Sequence, residues 1–99
     1  MERSWDILET YRGRLFEGDW PSISTMFSIT VERHAQRKSF TTLGANGKTF
    51  TYGQLNEEIL RVAAYMQEQG VGKGDRVLLN GKNSPAWAIG YLATLFCGA

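Results

Sequence analysis

The sequence predicts an α/β fold: a partial open sheet, made of a hairpin and a right-handed βαβ unit, with flanking helices. Three observations predict it. Helix-period and strand-like segments alternate along the chain. Two short Thr- and Phe-containing runs flank an Asn46-Gly47 turn signal. A long amphipathic helix is then followed by the apolar run Val77-Leu78-Leu79, the pattern of a strand covered on both faces.

The first element expected is a helix from Ser4 to about Arg12. Trp5 and Leu8 follow helical spacing, and Ser4 can cap it. Gly13, Gly18 and Pro21 break that pattern, so residues 13–21 read as a loop. A second helix spans Ser22 to Ala35, with Ile23, Met26, Phe27, Val31 and Ala35 as its apolar stripe. Ser39–Leu43 and Lys48–Thr51 form the hairpin, turning through Gly44-Ala45-Asn46-Gly47, where Asn-Gly tolerates positive φ.

Thr51 and Gln54 fit a capping box. The helix after it buries Leu55, Ile59, Val62, Ala63 and Met66, and Gly70 ends it in the left-handed conformation with Val71 packing beyond. Arg76–Asn80 is the next strand. With the hairpin strand and the helix before it, it makes the βαβ unit, which crosses over right-handed. Ser84 caps a last helix with Pro85 at its first position. From Trp87 to Phe96 it is apolar nearly all round, which predicts burial on most sides, and Gly98 terminates it. The alternation calls for a further strand after Ala99. The domain reading is therefore 1–21, an N-terminal helix and loop, and 22–99, an incomplete α/β unit.

The net charge is +1, with no basic stripe to neutralise phosphates along a duplex, so nucleic acid is not the expected partner. Arg33, His34, Arg37, Lys38 and Lys48 read as a solvated face. Cys97 is the only cysteine, which excludes an internal disulfide and fits a reducing compartment. The N-terminus carries no apolar secretory segment, and the apolar run Trp87–Cys97 is too short to span a bilayer. A cytoplasmic protein with no transmembrane segment is expected.

Each pattern that invites chemistry has a structural reading. Gly44 to Thr49 ends like a phosphate-binding loop, yet Thr42 stands where that motif requires glycine, and a strand-like segment follows instead of a helix. Gly70-Val71-Gly72-Lys73-Gly74 is one residue short of a dinucleotide fingerprint and precedes a strand, so it reads as a helix cap and turn. His34, the single histidine, reads as a surface helix residue, and Cys97 as a small core residue. Glu57 and Glu58 are adjacent on a helix and point about 100° apart, so they cannot act as a carboxylate pair.

Residues 48–99 carry a resemblance. Thr49-Phe50-Thr51-Tyr52-Gly53-Gln54-Leu55, the pair Ala63-Ala64, Gly70-Val71-Gly72-Lys73-Gly74-Asp75-Arg76-Val77, Asn83-Ser84-Pro85-Ala86-Trp87, Tyr91-Leu92-Ala93 and Gly98-Ala99 resemble, in order and spacing, segments of AMP-forming acyl-CoA synthetases. Trp87 after the proline leans toward the long-chain fatty acid–CoA ligase branch. Ala86 stands where the family carries an acid, and Gly81-Lys82 where it carries a more apolar or acidic pair.

The resemblance implies that the chain is an N-terminal subdomain fragment of such a ligase. The parent reaction joins a carboxylic acid, a fatty acid in the branch named, to coenzyme A through an acyl-adenylate, with ATP and Mg²⁺. The family performs it with a Ser/Thr/Gly-rich loop, a ribose-binding acid and a C-terminal lysine. No residue here matches these parts, so no catalytic, cofactor-binding or metal-binding residue is assigned, and the fragment itself is expected to be inactive and to bind no cofactor. Gly70 and Gly74 are expected to serve turns, Asp75 to bond turn amides, and Arg76 to lie along a sheet edge. A non-catalytic interaction module derived from the family is the alternative. An unpaired sheet edge and an exposed apolar helix lead to a further expectation, self-association.

Overall fold

A computed structural model describes residues 21–99. The helix expected from Ser4 to Arg12, and the loop after it as far as residue 20, lie outside the described residues. The described elements are α1 (Ile23–His34), β1 (Lys38–Thr41), β2 (Thr49–Thr51), α2 (Tyr52–Glu68) and α3 (Pro85–Phe96).

Ser22 caps α1, its Oγ accepting the amide of Thr25 at 3.3 Å. Arg33 and His34 occupy the last turn, where positive charge suits the helix dipole. The expected stripe is only partly covered. Phe27 packs against the core and meets Phe96 edge-on, with ring centroids 6.3 Å apart. Ile23 and Met26 remain exposed. Periodicity locates an apolar face, but its coverage depends on how wide a surface the neighbouring elements present.

β1 and β2 pair antiparallel, Phe40 opposite Phe50 and Thr41 opposite Thr49. A bulge at Ser39 interrupts the ladder, and the Ser39 hydroxyl donates to the Phe50 carbonyl at 2.9 Å. The turn differs from the expected Asn-Gly geometry. Neither Asn46 nor Gly47 has positive φ; Gly44 does, at 109°. The Gly47 amide donates to the Gly44 carbonyl at 3.1 Å, and the Lys48 amide to Thr42 Oγ1 at 2.7 Å. Thr42 thus widens the connection beyond a two-residue turn, and the left-handed position moves to its start.

At the start of α2 the capping box is complete. The Gln54 amide donates to Thr51 Oγ1 at 3.1 Å, and the Thr51 amide to Gln54 Oε1 at 3.0 Å. The amides of Tyr52 and Gly53 donate to the carbonyls of Arg37 and Ala35, each at 2.9 Å. The first donors of α2 are therefore satisfied by the chain itself. At the other end, the Val71 and Gly70 amides return to the carbonyls of Met66 and Gln67, each at 3.0 Å, with Gly70 at φ 93°. This double bond pattern closes a helix when the residue after the cap reaches the left-handed region. Val71 and Met66 both pack on the core.

The stretch expected as a strand, Arg76–Asn80, has no ladder partner among the described residues. The described sheet is two-stranded and antiparallel, so the expected βαβ unit is not formed within it. Strand pairing needs a neighbouring backbone along its length, and here the neighbour is a helix. Gly90 of α3 leaves room for Leu79, whose Cδ1 would lie 3.1 Å from a Cβ at that position. Arg76 is exposed and lies along no sheet edge.

Ser84 Oγ accepts the Trp87 amide at 3.2 Å and Pro85 opens α3, as expected. The amides of Gly98 and Ala99 donate to the Leu95 and Thr94 carbonyls at its end. Burial of α3 on most sides is not observed. Ala93 is its only buried residue, and Tyr91 is exposed. Among the described elements α3 packs on α2 and α1, which cover one side of it. The core is Leu55, Ile59 and Ala63 from α2 against Ala93 and Cys97, with Phe27 and Phe50 closing its margins.

Candidate functional site

The sequence assigns no catalytic residue, and the fold disperses the side chains that could do chemistry. Lys48 and Thr49, the end of the Gly44–Thr49 stretch read as a hairpin turn, sit at the end of the β1–β2 connection and the start of β2. They border a hollow of about 390 Å³ with Phe50, Gln54, Glu57 and Glu58. No helix begins directly after Lys48 to present free amides there, which a phosphate cradle requires. Glu58 is engaged by Arg61 at 3.0 Å across one helical turn, while Glu57 is exposed.

The Gly70–Gly74 stretch is a cap followed by a turn. The Gly72 amide donates to Asp75 Oδ2 at 2.7 Å, and the Asp75 amide to the Gly72 carbonyl at 3.1 Å. Asp75 thus bonds a turn amide as the sequence implied, and its carboxylate is spent on the turn. His34 is half-buried in the last turn of α1. Cys97 is buried, its Sγ donating to the Ala63 carbonyl at 3.4 Å. None of these four regions brings an acid, a base and a nucleophile together.

Helix starts offer no anion site either. Ser22 and Ser84 cap α1 and α3, and the chain's own acceptors fill the start of α2. Among the described residues no group of three His, Cys, Asp or Glu side chains converges on a point that could hold a metal. Nor is any polar or charged side chain buried among them.

The hollow that sequence reasoning did not anticipate lies along α3. Asp75, Arg76, Val77 and Leu79 face Tyr91, Thr94 and Leu95 across about 350 Å³. Nearby, Trp87 and Tyr91 stack with ring centroids 5.5 Å apart. No local pattern joins residues 75–79 to 91–95; only the path of the chain around α3 does. No helix among the described residues is long and apolar enough to cross a membrane.

The sequence model of the AMP-binding enzyme family matches residues 27–99. A long-chain-fatty-acid–CoA ligase of Bacillus subtilis (strain 168) is 34% identical over 74 residues, 75% of this chain and 13% of the relative. Surfactin synthase subunit 2 of the same organism is 31% identical over 94 residues, 94% of this chain and 2% of the relative. A 4-coumarate–CoA ligase 2 of Oryza sativa subsp. japonica is 29% identical over 96 residues, 95% of this chain and 17% of the relative. The chain thus spans less than a fifth of the length of each of these relatives. No solved structure gives a significant match. The matched stretch takes in every described helix and strand except the cap and first turn of α1, and on that basis the chain belongs to the AMP-binding enzyme family.

Proposed function

We propose that this chain is a scaffold segment of an ATP-dependent acyl-CoA synthetase, the N-terminal α/β part of its AMP-binding domain, and is inactive by itself. The parent activity is the joining of a carboxylic acid, of the fatty acid class, to coenzyme A through an acyl-adenylate. ATP, Mg²⁺ and coenzyme A belong to that longer protein. One observation carries the reading: the residues that resemble the family serve as caps, turns and core. Thr51 and Gln54 cap α2, Gly70 closes it, Asp75 holds a turn, and Ser84 caps α3. Each of them is hydrogen-bonded within its own cap or turn.

On this reading residues 1–21 are an N-terminal helix and loop, and residues 22–99 an incomplete α/β unit. Residues 76–80 take up strand pairing, and complete a right-handed βαβ crossover, once a neighbouring strand is supplied. The apolar character of Val77, Leu78 and Leu79 supports this, because Leu78 has no covering residue at 95% exposure. The single cysteine supports a reducing, cytoplasmic setting.

The test is carboxylate-dependent exchange of pyrophosphate into ATP, measured on the 99-residue chain with acetate, a medium-chain and a long-chain fatty acid. The expected result is no exchange above a protein-free control. Exchange that depends on one of the acids would overturn the scaffold reading. A second reading, a non-catalytic interaction module, is favoured by the exposed apolar side chains Leu43, Leu78 and Tyr91. It shares with the first the proposal that the isolated chain self-associates, which sedimentation over a range of concentrations measures.

A further inference from the structure

We draw no further inference here: the strongest candidate, the open apolar hollow between Asp75–Leu79 and the Tyr91–Leu95 face of α3, has no buried polar side chain aimed into it, and nothing in the structure shows what covers or fills it.

Discussion

Cys97 Sγ lies 3.4 Å from the carbonyl oxygen of Ala63, joining the end of α3 to the middle of α2. Both residues are buried, and the small side chains of Ala63 and Ala93 let the two helices approach. Thiol chemistry at Cys97 therefore reports on this contact. In native buffer Cys97 should react with an aromatic disulfide reagent at least about tenfold more slowly than in denaturant, because attack needs an exposed thiolate. Equal rates in the two conditions would mean that α2 and α3 do not pack as described.

Leu55 and Ile59 are fully buried, whereas Leu60, the residue after Ile59 in α2, is 48% exposed. Leu55→Ala or Ile59→Ala should lower unfolding stability by roughly 2–5 kcal/mol, through lost transfer energy and the cavity left behind. Leu60→Ala should change it by no more than about 0.5 kcal/mol. Urea denaturation followed by circular dichroism makes the comparison.

The reciprocal bonds of Thr51 and Gln54 make a separate prediction. Thr51→Ala should cost about 1 kcal/mol, the usual loss on removing a helix cap. Because each side chain serves the other's backbone, the double variant with Gln54→Ala should cost less than the sum of the singles or differ from it measurably. A double-mutant cycle in urea that closes additively would show that the two bonds act independently.

Leu78 is 95% exposed, so Leu78→Lys removes apolar surface without opening the core. We expect it to shift sedimentation toward monomer while leaving the unfolding free energy from urea denaturation within about 0.5 kcal/mol of the parent. A parent chain that sediments as a concentration-independent monomer would contradict the proposed self-association.

Several of these features were legible in the sequence because their causes are local. The Thr51–Gln54 box lies within one helical turn, and α2 closes through the Gly70 amide to the Gln67 carbonyl and the Val71 amide to the Met66 carbonyl, bonds three and five residues long. The stripe Leu55, Ile59, Ala63 was readable for the same reason, being set by helical period alone. The hairpin was placed correctly, but not its turn: Thr42, outside the Asn-Gly signal, bonds Lys48 and relocates the left-handed residue to Gly44.

The same contrast holds for function. By itself the sequence determined the helix starts and stops, the apolar face of α2 and the resemblance to AMP-forming ligases, since caps, periods and motif spacings are properties of neighbouring residues. Only the tertiary structure decided how much of each apolar face is covered: α3, apolar nearly all round, buries only Ala93, while Ile23 and Leu78 stay exposed. It also decided that Arg76–Asn80 runs beside a helix, with no strand to pair with among the described residues. Burial and strand pairing need a second surface, and whether one is present depends on elements distant in the chain.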